Sequence, residues 1–264
     1  MAFFTLYLLL GLFAGLLAGL LGVGGGLVIV PVLMFIFAAQ HFPDAVIIHL
    51  ALGTSLASIM FTSLSSMRAH HLHRAVNWQV VRMITPGIVT GTLLGSVFAA
   101  HVSAYFLKVF FVLFLFYVAT QMLINIKPKP ARDLPGWGGM FAAGNIIGGV
   151  SSLVGIGGGT LSVPFMTWCN VKMHQAIGTS AAIGFPIAVA GAAGYVANGL
   201  SVTDLPRYSL GYVYLPALAG VVLASMLTAP LGAKLAHRLP VSLLKRLFAI
   251  LLFSLGAKMA WSLL

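Results

Sequence analysis

Apolar residues run almost unbroken from Phe3 to Ala39, and what interrupts them is glycine rather than charge, at Gly22-Val23-Gly24-Gly25-Gly26. The two pieces are 3–21 and 27–39, and the second falls short of the about 20 residues a membrane-crossing helix needs. Three further apolar segments follow at about 45–65, 76–99 and 104–126. Lys127-Pro-Lys-Pro-Ala-Arg-Asp133 is then the one clearly polar, proline-rich stretch. Beyond it the pattern restarts, with a broken region over 137–168 and segments at 175–197, 209–233 and 241–263. The pattern predicts an all-α polytopic membrane protein with an N-terminal membrane repeat (1–126), a polar linker (127–136) and a C-terminal membrane repeat (137–264).

The glycine interruption occurs twice. Gly22-Val-Gly-Gly-Gly-Leu-Val-Ile-Val-Pro31 returns 133 residues later as Gly155-Ile-Gly-Gly-Gly-Thr-Leu-Ser-Val-Pro164, every glycine and the proline in register. Each glycine in a helix costs about 1 kcal/mol relative to alanine. Freed backbone groups cannot be left facing lipid, so a break at membrane depth belongs where it is buried or lines a polar cavity. Matching breaks in two halves of a chain point to a transporter's binding site. The duplication extends further. His49-Leu-Ala-Leu-Gly53-Thr54-Ser55 matches His174-Gln-Ala-Ile-Gly178-Thr179-Ser180, and Leu107-Lys108 onward matches Leu244-Lys245 onward, keeping Phe111/Phe248 and Phe116/Phe253. Each half thus reads as about four membrane segments, opened by a glycine-broken helix that is either re-entrant or a short pair.

Composition agrees with a membrane chain: 60% of residues are hydrophobic, 6% are charged, and the mean hydropathy is +1.07. A soluble domain carries roughly a quarter charged residues. The net charge of +11 would suggest nucleic acid in a soluble protein, but here the basic residues sit between apolar runs, as cytoplasmic loops do under the positive-inside rule. The first apolar run has no basic leader and reads as retained structure. The single cysteine, Cys169, excludes an intramolecular disulfide framework.

Charge placement orients the halves. If each broken region returns to its starting side, the halves are inverted; with the N-terminus outside, only Lys108, Arg207 and Lys258 of the 14 Lys and Arg lie on the outer face. If each broken region crosses once, the halves are parallel and the split is nearly even. The positive-inside rule selects inverted repeats with both termini outside.

GVGGGLVIVP, GTSLAS and SSMRAHHLHRAVNW in the first half, with GIGGGTLSVP, HQAIGTSAAIGFP and SLGYVYLPAL in the second, make the chain resemble the TauE/SafE family of bacterial sulfite and organosulfonate exporters. The similarity covers nearly the whole chain. It implies a multi-pass permease of the bacterial inner membrane for small sulfur-containing anions, without a cofactor and not an enzyme.

The chemistry of the residues fits an anion. A helix that restarts after glycines presents unpaired N–H groups and the positive end of its dipole. Gly24, Gly25 and Gly26, with Gly157, Gly158 and Gly159, are therefore candidate substrate-binding residues, meeting near the membrane midplane. Thr54, Ser55, Thr179 and Ser180 add hydroxyls, although membrane Ser and Thr often bond back to their own helix. His49 and His174 are the titratable pair repeated in both halves, candidates for charge neutralisation or proton coupling, or simply caps at the membrane boundary. His70, His71 and His73 have metal-like spacing but are read as part of a basic loop with Arg68 and Arg74, and no metal site is expected. Asp44, Asp133 and Asp204 all fall in loops or at span edges and none within a span, which argues against a carboxylate-based cation site. The expected partners are a small anion, the bilayer and a second copy of the chain in a homodimer, with no nucleic acid. A permease for a carboxylate or sulfate-like anion, an anion channel, and an intramembrane hydrolase using Ser55 or Ser180 with a histidine are the competing classes.

Overall fold

A computed structural model describes residues 2–22, 24–124, 132–236 and 241–263, whose regular elements are helices apart from one small hairpin. Helices α1 (Ala2–Leu21) and α2 (Gly26–Ala39) flank the first glycine break, followed by α3 (Asp44–Leu72), α4 (Trp78–His101) and α5 (Ala104–Ile124). Helices α6 (Trp137–Val154) and α7 (Gly159–Trp168) flank the second, followed by α8 (Met173–Gly199). The hairpin β1 (Ser209–Leu210) and β2 (Val213–Tyr214) leads into α9 (Leu215–Ala236) and α10 (Val241–Trp261). Among the described residues, α1, α3, α4, α5, α8 and α9 are long and apolar enough to cross a membrane, while α2 is apolar but shorter. Val23, linker residues 127–131 and residues 237–240, with Arg238, lie outside the described residues.

Two expected boundaries move. The segment expected over 45–65 continues as α3 to Leu72, so His70 and His71 belong to its last turn rather than to a loop. No glycine or proline follows Gly53 to stop it, and histidines suit a helix C-terminus. The segment expected from 209 begins as the hairpin, because Gly211 turns the chain at φ +53°. The helix proper starts at Leu215, with Pro216 in its first turn where the missing N–H costs nothing.

Both broken elements double back. Gln40, at the end of α2, donates through Nε2 to the Tyr7 hydroxyl on α1, so α2 runs back beside α1. At the second break the Arg132 guanidinium, ahead of α6, lies 3.8 Å over the ring of Trp168 at the end of α7.

Small residues set the helix packing. Gly11 faces Val221, Gly15 faces Ser225 and Gly19 faces Ala229, so α1 and α9 run side by side in the same direction. Gly87 faces Phe141 and Gly91 faces Asn145, which places α4 along α6 in the same manner. In the middle, α3 and α8 run in opposite directions, Leu56 against Gly191 and Ser63 against Gly184. Without a hydrophobic drive between helices in lipid, such close approach supplies the van der Waals contact that holds them. α5 and α10 pair elsewhere, with the rings of Phe116 and Phe253 5.9 Å apart.

Candidate functional site

The two Gly-Thr-Ser triplets bind each half of the chain to the other. Ser55 Oγ on α3 donates to the carbonyl of Gly155 in the second break at 2.8 Å. Ser180 Oγ on α8 donates to the carbonyl of Gly22 in the first break at 3.0 Å, sharing its proton with Ile177 O. Thr54 Oγ1 accepts from the Tyr214 N–H just before α9, and Thr179 Oγ1 from the Asn77 N–H just before α4, both at 2.9 Å. The glycine ahead of each pair makes room for the same visitor: a Cβ on Gly53 would overlap the Tyr212 carbonyl, and one on Gly178 would press on the Ala75 carbonyl. All four hydroxyls are fully buried. In this structure they satisfy backbone groups that the breaks and connecting segments would otherwise leave unpaired.

Helices α2 and α7 start from glycines in the left-handed region, Gly25 at φ +79° and Gly158 at φ +76°. No side chain caps either helix. Val28 and Ile29 N–H groups bond back to Gly25 O, and Leu161 and Ser162 N–H groups to Gly158 O. The N–H groups of Gly26 and Leu27, and of Gly159 and Thr160, come before the first carbonyl that an intrahelical bond could use.

The breaks meet at Gly24 and Gly157: a Cβ on Gly24 would sit 3.1 Å from Gly157 Cα. Gly26 closes on the other break too, since its Cβ would overlap the Gly155 carbonyl oxygen. Beside this junction lies a cavity of about 10 Å³, lined by four glycines (Gly22, Gly24, Gly157 and Gly184), three serines (Ser63, Ser66 and Ser180) and two alanines. That space suits about one water. No ionised side chain lines it, so its polarity comes from hydroxyls and backbone.

Of the expected site residues, Gly24, Gly157 and Ser180 line the cavity, and Gly25, Gly26, Gly158 and Gly159 adjoin it in sequence. Thr54, Ser55 and Thr179 face the inter-half bonds described above. His49 is buried on α3 with Nε2 3.1 Å from Ala99 O and its ring stacked on Tyr212, centroids 5.0 Å apart. His174 is exposed in the first turn of α8. Neither histidine lines the cavity. Ser63 and Ser66 were missed by the sequence reading. Ser66 continues the three- and four-residue spacing of Ser55, Ser58 and Thr62 along one face of α3, a signal that a search for duplicated residues passes over.

A family model described as Sulfite exporter TauE/SafE matches residues 7–259. A probable membrane transporter protein of Haemophilus influenzae is 37% identical over 262 residues, covering 97% of this chain and 98% of its own. One of Methanocaldococcus jannaschii is 28% identical over 261 residues, covering 95% and 93%. The protein YunE of Bacillus subtilis, also a probable membrane transporter, is 28% identical over 216 residues, 74% of this chain and 79% of its own. No solved structure gives a significant match.

Proposed function

The chain belongs to the sulfite exporter TauE/SafE family of membrane transporters, and from that premise we propose that it exports small sulfur-containing anions, sulfite or organosulfonates, held where its two glycine breaks meet. The observation that carries this reading is the contact of Gly24 with Gly157 beside a small, uncharged, hydroxyl-lined cavity. The backbone N–H groups at the starts of α2 and α7, next in sequence to the residues that meet there, are the donors this reading assigns to the anion. Amides can bind an oxyanion without a fixed counter-charge, which eases its release on the far side.

The halves are inverted repeats, with the shared site near the midplane and both termini outside the bacterial inner membrane. Four observations support this. The broken elements double back; α3 opposes α8; α1 runs with α9; and α4 runs with α6. Exchanging the two halves turns the α1–α9 pairing into the α6–α4 pairing and returns α3–α8 to itself. The basic ends agree, since His70 near the end of α3 bonds Gly19 O, and Gly19 faces Ala233 next to Lys234.

Purified protein in liposomes tests the function. Saturable efflux of sulfite or methanesulfonate, competed by excess of either, is the expected result. Flux of sulfate or acetate with no flux of sulfite or sulfonate would assign a different permease, and non-saturating conductance a channel.

A further inference from the structure

We propose that Ser66 on α3 is the side-chain donor to the transported oxyanion, a role that rests on the glycine-break reading above and names the hydroxyl that completes it. Three serine hydroxyls line the cavity, and two have already directed their protons at carbonyls. Ser63 donates to Met60 O at 3.2 Å, and Ser180 to Gly22 O and Ile177 O. Ser66 is 2% exposed and its Oγ has no hydrogen-bond partner among the described residues. Other buried hydroxyls share that condition, Thr92 among them, but Ser66 is the one that lines the cavity. An oxyanion offers acceptors alone, so a hydroxyl serves it only if its proton is uncommitted. Leaving that proton unused in a buried site costs stability, and a ligand removes the cost.

Among the described residues, the counterpart of the cavity across the junction is filled. The position matching Ser66 in the second half is Gly191, and that glycine is covered by Leu56, the residue matching cavity-lining Ala181. Ile59, fully buried, stands where the second half has Gly184. Two bulky apolar side chains thus fill the counterpart of the space that alanine, glycine and serine leave open. Ser66 also stands one turn from His70 and near Arg68, at the basic end of α3. The cavity has room for one water and not for a sulfite, and its walls are backbone and small side chains. Admitting the anion therefore requires the surrounding backbone segments to part rather than a side chain to rotate.

The test is equilibrium binding of radiolabelled sulfite, with methanesulfonate as competitor, to the full-length protein in detergent. Ser66→Ala is expected to raise Kd about tenfold to a hundredfold, the weight of one hydrogen bond to a charged group. Its melting temperature without ligand should be unchanged or higher, because an unused buried hydroxyl is removed. Thr92→Val, which deletes a comparable hydroxyl away from the cavity, should keep the wild-type Kd. Ser66→Cys, keeping a weak donor, should give an intermediate Kd, and carries the test on its own if the alanine variant does not fold. A wild-type Kd in both Ser66 variants, with binding lost in Gly158→Ala, overturns the role of Ser66 and leaves the glycine-break reading standing. Equal losses in Ser66→Ala and Thr92→Val overturn it as well. Absence of binding by the wild-type protein overturns both readings.

Discussion

Gly24 and Gly157 occupy matching places in the two halves, 133 residues apart, and they touch: a Cβ on the first would stand 3.1 Å from the Cα and 3.2 Å from the nitrogen of the second. On the inverted-repeat reading, a contact between like positions marks where the relating axis passes. A site built beside that contact takes backbone from both halves, which suits a carrier that must expose it to each side in turn.

The glycines of the breaks are expected to separate by what a side chain would meet. At Gly158 the new Cβ runs into the flexible end of Ile187, and at Gly26 it overlaps the fixed carbonyl of Gly155. Gly158→Ala should therefore insert and fold, with φ +76° strained by about 1 kcal/mol or more, yet lose sulfite flux. Gly26→Ala should fail to accumulate as folded protein. Flux per folded molecule, with size-exclusion profiles of both variants, checks this. Full specific activity in Gly158→Ala would sink the anion cradle.

Removing either inter-half serine should destabilise the protein unequally. Ser55 spends its proton on Gly155 O alone, whereas Ser180 divides its own between Gly22 O and Ile177 O. Ser55→Ala leaves a buried carbonyl unpaired and should cost about 1–3 kcal/mol, with Ser180→Ala costing less. Thermal unfolding in one detergent ranks the two. The reverse order would contradict the assignment of these bonds.

Side-specific labelling tests the topology. Leu72 ends α3, Lys234 lies in the last turn of α9, and Leu200 follows α8; all three are exposed. In a Cys169→Ala background, cysteines at Leu72 and Lys234 should react only after the cell membrane is permeabilised, and one at Leu200 should react in intact cells. Labelling of Leu72 and Lys234 from opposite sides is incompatible with inverted halves.

Leu56→Ala should open a void against Gly191, costing about 2–5 kcal/mol. Leu56 packs on Gly191 beside the methyl group of Thr92, so the new space should stay dry and anion affinity should stay at the wild-type value. Calorimetric or fluorescence-detected melting and the sulfite-binding assay measure the two effects separately. A gain in anion affinity would contradict the apolar character assigned to that side.

The sequence alone determined the helical, membrane-embedded class, the two units of about four segments each opened by a glycine break, and the duplication. These follow from local composition and periodicity: apolar runs must be buried or face lipid, and glycine after glycine cannot continue a helix. It also singled out the Gly-Thr-Ser triplets and Gly24 to Gly26 with Gly157 to Gly159, since repeated residues stand out in one dimension. Only the tertiary structure decided what those residues face. That Ser55 answers Gly155 and Ser180 answers Gly22 depends on one half crossing the other. That His49 stacks on Tyr212 while His174 lies exposed depends on where each helix begins relative to its neighbours. Ser66 was invisible to the repeat because its counterpart is Gly191. Its unused proton is set by which hydroxyls find a carbonyl within reach, and that is a property of packing in three dimensions, which no spacing along the chain encodes.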